Sequence, residues 1–225
     1  RKGDYRVWHE NRFLYAPEVK IRIFIRSFMW SLFDAEEGKP ICNSVQKLSL
    51  DGVFNDTLGG NRCGRLVKEE AAKLTDDDPR LVTSKAVQCN QVIYGVLSGK
   101  MKEADGTQVQ LDNLPIISYF KKSGYMPMNN FIRGLADRKK IIPRVEVNLK
   151  TSKAKKGSVT FFVPVPTEGK SLTSLSDEDK TLIRMFKDTI DAANANVIKQ
   201  YNEALKGDVS EEDSDLSKDF DAVAS

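Results

Sequence analysis

Lys20, Arg22, Phe24 and Arg26 occupy alternate positions of one short run. Side chains at a period of two share one face of a strand. That face would present three cations beside an aromatic ring. Single-stranded nucleic acid is held by this combination, because cations track phosphates and rings stack on bases whatever their identity. Two more basic elements follow. Lys150, Lys153, Lys155 and Lys156 surround the connection Thr151–Ser158, and Arg138, Lys139, Lys140 and Arg144 form a second cluster. Lysines on a loop act as adaptable point charges for a flexible phosphate backbone. Chemistry of other kinds has thinner support. His9 is the only histidine, and the chain has no GxxxxGK[ST], GxSxG or HExxH pattern. Asp76, Asp77 and Asp78 could hold Mg²⁺, but with Pro79 after them they read as a solvated turn. Cys42, Cys63, Cys89 and His9 match the ligand inventory of a structural zinc site. No two of those cysteines stand in a close CxxC pair, so buried free thiols are the default and no cofactor is expected.

The elements that must carry these residues can be read from periodicity. Val19, Ile21, Ile23 and Ile25 alternate with the basic set, which predicts a half-buried strand that continues or bends through Phe28, Trp30 and Phe33. Ile41–Leu50 and Ala86–Leu97 are further strand candidates. Gly64–Leu74 reads as a short helix. Leu114-Pro115 opens a predicted helix that Gly124 stops, with proline at the first helical position, and Met128–Lys140 reads as another. Val145–Leu149 and Val159–Val163 alternate and form a hairpin with a basic tip, and Pro164 and Pro166 end the sheet. Ser176 is an N-cap before Asp177, Glu178 and Asp179. Leu182, Phe186, Ile190, Ala193, Val197 and Tyr201 then mark one helical face as far as Lys206.

Charge is unevenly spread over the 225 residues. Seven acids against one base give residues 208–225 a net of −6, so the overall +3 leaves +9 for residues 1–207. A basic body implies an anionic ligand, and an acidic tail implies a separate role. Asp213, Asp215, Asp219, Phe220 and Asp221 are the candidate partner-binding residues of that tail, with Phe220 as its hydrophobic anchor. The tail is poor in apolar residues, which predicts disorder. Hydrophobic residues make up 40% and charged residues 30%, and no apolar run approaches a membrane span. The charged, polar start carries no signal-peptide pattern. Three widely spaced cysteines predict a reducing compartment, hence the cytoplasm, or a host cytoplasm if the protein is viral.

A basic, strand-rich body followed by a C-terminal helix and an acidic tail resembles the single-stranded-DNA-binding proteins of tailed bacteriophages. Pro40-Ile-Cys42, Asn61-Arg-Cys63-Gly and Gln88-Cys89-Asn90 carry part of the likeness. Leu114-Pro-Ile-Ile-Ser-Tyr-Phe, Val145–Leu149 and Thr160-Phe-Phe-Val163 carry the rest. The resemblance implies an OB-like barrel, cooperative coating of single strands, and a tail contacting replication or recombination proteins. The sequence departs from the pattern in lacking a full CxxC pair and a terminal aromatic residue.

The expected fold is α+β, mainly β: an OB-like, partly open barrel with inserted helices over residues 1–170, a C-terminal helix over 171–207 and a disordered tail over 208–225. The expected function is non-enzymatic binding of single-stranded DNA, with Trp8 or Trp30 adding aromatic surface to the groove and homo-oligomerisation possible. A virion assembly protein and a metal-dependent nuclease using Asp76–Asp78 are the competing readings.

Overall fold

The computed structural model describes residues 3–34 and 36–221, with side-chain surroundings as far as Lys206. Its strands are β1 (Tyr5–His9), β2 (Arg12–Ala16), β3 (Glu18–Phe33), β4 (Pro40–Asn43), β5 (Gln88–Lys102), β6 (Gln108–Phe120), β7 (Val145–Lys156) and β8 (Val159–Ser171). Its α-helices are α1 (Lys68–Ala71), α2 (Pro79–Ala86), α3 (Tyr125–Asp137) and α4 (Asp177–Asp221). The fold is therefore α+β and mainly β. The eight strands form one antiparallel sheet in the order β1-β2-β5-β3-β7-β8, with β4 added to β3 and β6 to β5. The path has two ends and is not closed.

The chain divides into two compact units, each made of two stretches: Arg1–Ser27 with Asn90–Asp188, and Phe28–Cys89 with Thr189–Ser225. The segments 1–170, 171–207 and 208–225 expected from the sequence are contiguous, and these units are not.

In the first unit one core gathers Leu14, Val19, Ile21, Ile23, Ile93, Leu97, Met101, Val147 and Leu149 from the strands. Met128 and Ile132 of α3 join it. The opposite face of the central strands is covered too: Phe24 and Tyr94 meet Phe186 of α4, with ring centroids 6.4 and 5.6 Å apart. Strand β5 is accordingly buried without a break from Asn90 to Leu97, the pattern of a strand covered on both faces. At Gly95 a Cβ would stand 2.0 Å from the Arg22 carbonyl oxygen, so only glycine permits this approach. The first turn of α4 is closed reciprocally: Asp179 N–H donates to Ser176 Oγ, and Ser176 N–H donates to the Asp179 carboxylate, each at 3.2 Å. This is the capping arrangement anticipated at Ser176.

Two expectations are corrected in this unit. The helix expected from Leu114 to Gly124 is absent up to Phe120, because Leu114–Phe120 belongs to β6 and pairs with Leu97–Gln91 of β5, and only Lys122–Gly124 form a 3-10 turn. Among the described residues β6 pairs with β5 alone, and proline is tolerated on such an edge, where its missing N–H breaks no ladder bond. For the same reason Pro164 and Pro166 do not end the sheet: β8 is an end strand of the path and pairs on to Ser171.

In the second unit the end of β3 pairs with β4, and Phe28 exchanges backbone bonds with Lys47. Of the expected strand Ile41–Leu50 only residues 41–43 fall in β4, and of the helix expected over Gly64–Leu74 only Lys68–Ala71 is α-helical. Asp78 caps α2 by accepting from Arg80 N–H at 2.9 Å, with Pro79 in the first turn. Asn194 of α4 clasps the backbone of Gln46, accepting its N–H at 2.6 Å and donating to its C=O at 2.9 Å.

Candidate nucleic-acid interface

The first unit carries a groove between two strand edges. β1 and β2 form a hairpin whose two-residue turn, Glu10-Asn11, has φ of 47° and 60°. That left-handed pair suits the twist of a tight hairpin. Along β1 the inward residues are Tyr5, Val7 and His9, and the outward ones are Arg6 and Trp8. Trp8 lies edge-on to Phe13 across the hairpin at 4.6 Å, and the Arg6 guanidinium stands 4.6 Å from the Phe13 ring. Along β6, Leu114, Ile116 and Phe120 turn inward, while Pro115, Ile117 and Tyr119 turn outward. A cleft of about 590 Å³ runs between these strands, lined by Tyr5–Glu10 and Leu114–Phe120. Trp8 is 58% exposed and Tyr119 55% exposed.

A second cleft adjoins the first, sharing Tyr5, Tyr119 and Phe120 with it. It is lined further by Lys121, Thr151, Phe162 and Pro164, so it ends at the β7–β8 hairpin. Hydrogen bonds fix this junction. Tyr5 Oη donates to the Lys150 carbonyl at 3.0 Å, and Thr151 Oγ1 donates to the Gly3 carbonyl at 2.6 Å. Burial pushes the Tyr5 phenol up to about 12, so it stays a donor at any physiological pH.

The hairpin is more ordered than a basic loop. Strand pairing continues to Lys156 opposite Val159, and Gly157-Ser158 alone make the turn, with Gly157 at φ 59°. Lys153, Lys155 and Lys156 therefore project from a paired strand. They are exposed, and among the described residues they make no ion pair. Lys153 pairs in register with Phe162, which lines the second cleft.

The other cations singled out from the sequence are differently employed. Lys20 pairs with Glu146 at 3.2 Å and Lys150 with Glu18 at 3.1 Å. Arg138 and Lys140 both hold Glu168, at 2.9 and 3.2 Å, and Lys140 foremost draws its carboxyl below the usual range. Lys139 is exposed at φ 54°. Arg26 is half-buried, and burial lowers its guanidinium from the ordinary value. Arg22 is bound by Asp179 through two hydrogen bonds of 2.7 and 2.8 Å. Phe24 is only 7% exposed. Arg22 and Phe24 are thus corrected from groove residues to structural ones, because α4 covers the strand face that carries them. Trp30 belongs to the second unit, where it packs beside Cys42, Cys63 and Val87. Asp213, Asp215, Asp219, Phe220 and Asp221 lie outside the residues whose side chains are described.

The remaining candidates separate likewise. Asp76 pairs with Lys85 at 2.8 Å and Asp78 with Arg80 at 2.9 Å, so neighbouring cations already claim two of the three carboxylates. Of the four proposed zinc ligands, Cys42 and Cys63 come together with Asp56. Cys89 is not in that group, and His9 ends β1 in the other unit. Tyr119 and Phe162 were missed as groove residues. The signal for Tyr119 was the alternation from Leu114 to Phe120, which Pro115 disguised as a helix start. Compared with known protein families, curated proteins and solved structures, the chain matches none of them.

Proposed function

We propose that the chain is a non-enzymatic binder of single-stranded DNA, which enters between β1 and β6 and leaves along the β7–β8 hairpin. One observation carries this reading: exposed Trp8 and Tyr119 line a cleft adjoining a second one that ends at Phe162, the residue in register with Lys153 on the strand that also carries exposed Lys155 and Lys156. Rings spaced along a track with cations at one end suit unpaired bases on a flexible phosphate backbone. In this reading the sheet is an OB-like, partly open barrel. The return of β1 to β7 through Tyr5 and Thr151 supports that comparison. Coating of single strands in replication or recombination, with the acidic tail recruiting partner proteins, completes the proposal.

The test is fluorescence anisotropy of the full chain with a labelled single strand and with a matched duplex, at two salt concentrations. The single strand is expected to bind more tightly, and more weakly as salt rises. Trp8→Ala and Tyr119→Ala are each expected to weaken binding by about 1–3 kcal/mol. Absence of binding by the unaltered chain at low salt overturns the proposal. Lys153, Lys155 and Lys156 changed together to alanine address the other end of the track. Each phosphate that a lysine no longer neutralises makes the slope of log affinity against log salt shallower by about 0.7, so the triple variant should be shallower by about 2. An unchanged slope places the phosphates elsewhere.

A further inference from the structure

Cys42, Asp56 and Cys63 bring two sulfurs and a carboxylate together in the unit made of Phe28–Cys89 and Thr189–Ser225, with all ligand atoms within 4.8 Å of one another. Cys42 and Asp56 are each 1% exposed and Cys63 is 3% exposed. They come from three places in the chain. Cys42 is held on β4 by its pairing with Leu32 of β3. Asp56 sits in the loop that returns toward β4 through its bridge with Ser44. Cys63 occupies a single 3-10 turn, Arg62–Gly64, in which all three residues have left-handed φ of 55°, 54° and 78°. Arginine and cysteine adopt that region reluctantly, and such outliers persist where the surroundings demand them.

Asp56 organises its own loop. One carboxylate oxygen accepts from the N–H groups of Leu58 and Gly60 at 3.1 and 3.0 Å, and the other accepts from Cys63 N–H at 2.7 Å. Among the described residues no lysine or arginine forms an ion pair with this carboxylate. Buried charges are otherwise paired or bound to metal. A neighbouring anion opposes thiolate formation, and the thiolate is the species that forms disulfides. A cation reverses the relation, making all three groups ligands at once.

We propose that Cys42, Asp56 and Cys63 form a binding site for a thiophilic divalent cation of the zinc class. Two thiolates and one carboxylate supply three corners of a tetrahedron. The fourth falls to water or to the Trp30 carbonyl oxygen, which lies 3.5 Å from the Cys63 sulfur. Calcium and magnesium, which take oxygen ligands, are not suited to it. Binding releases the thiol protons and involves no redox change. This proposal does not rest on the nucleic-acid reading.

The experiment adds Co²⁺ to the reduced, chelator-stripped full chain and records the absorption spectrum. Expected are thiolate-to-cobalt charge-transfer absorption and the visible bands of tetrahedral cobalt, both lost when Zn²⁺ is added. Cys42→Ser and Cys63→Ser should each weaken cobalt binding about tenfold or more, and Cys89→Ser should leave it unchanged. In the unaltered chain, Zn²⁺ should slow alkylation of Cys42 and Cys63 but not of Cys89, a measurement that does not depend on the variants folding. No charge-transfer absorption at saturating Co²⁺, or no protection of Cys42 and Cys63 by Zn²⁺, overturns the proposal.

Discussion

Replacing Arg22 with methionine is expected to lower the stability of the chain by about 3 kcal/mol, leaving the proposed single-strand binding of the folded fraction unchanged. The Arg22 and Asp179 side chains are 12% and 7% exposed, so water cannot replace either partner. Methionine fills much of the space but leaves the Asp179 carboxylate buried with only Ser176 and the helix end to stabilise it. The effect depends on pH. Arg22, ahead of every other influence, holds the Asp179 carboxyl below its ordinary value. A lowered carboxyl contributes stability that is complete above its unfolded value and is lost as pH falls through its folded value. The resistance of the unaltered chain to denaturant should therefore fall on acidification below about pH 4, and the gap to Arg22→Met should narrow over the same range. A second change, Asp179→Leu, should restore part of the loss, since an apolar pair can replace a buried ion pair. A gap of less than about 0.5 kcal/mol at neutral pH would return Arg22 to the surface cations.

Phe24→Ala should be comparably severe, at about 3–5 kcal/mol. The ring lies between the sheet and α4 beside Phe186, which also meets Tyr94. Truncation opens a cavity that two packed elements cannot easily collapse. Phe24→Leu, which keeps most of the volume, should lose much less. Chemical denaturation gives both values. Oligonucleotide anisotropy on the same samples decides the role of the ring: a stacking residue would lose affinity in Phe24→Leu, whereas a core residue keeps it.

These two residues also show where sequence reading stops. The alternation of Val19, Ile21 and Ile23 was legible because one face of β3 meets the core in register. What covers the other face is decided by Phe186 and Asp179, more than 150 positions along the chain, and no local pattern reports them. Lys20, Lys150, Arg138 and Lys140 were legible as cations, but the glutamates that engage them come from other parts of the chain. Lys153, Lys155 and Lys156 are exposed as expected of a basic hairpin, but they stand on a paired strand rather than in a loop. β6 was misread because proline at a helix start and proline on a sheet edge look alike in sequence. Cys42 and Cys63 were legible as possible ligands. Asp56 was not, because only the folded loop brings it beside them.

The discontinuity of the two units bears on how the chain reaches this state. β3 and β5 are neighbours in the sheet, yet residues 28–89 lie between Ser27 and Asn90, where the first unit resumes. Their pairing must close a loop of that length before any ladder bond rewards it, and closure entropy grows only slowly with loop length. Contacts of high sequence separation slow folding more than they weaken the product. The local hairpins β1–β2 and β7–β8 can form early, whereas the central β3–β5 pair has to wait for the inserted segment to be gathered in. During synthesis the ribosome releases β5 only after that segment, so the first unit cannot complete itself until well over half the chain has emerged.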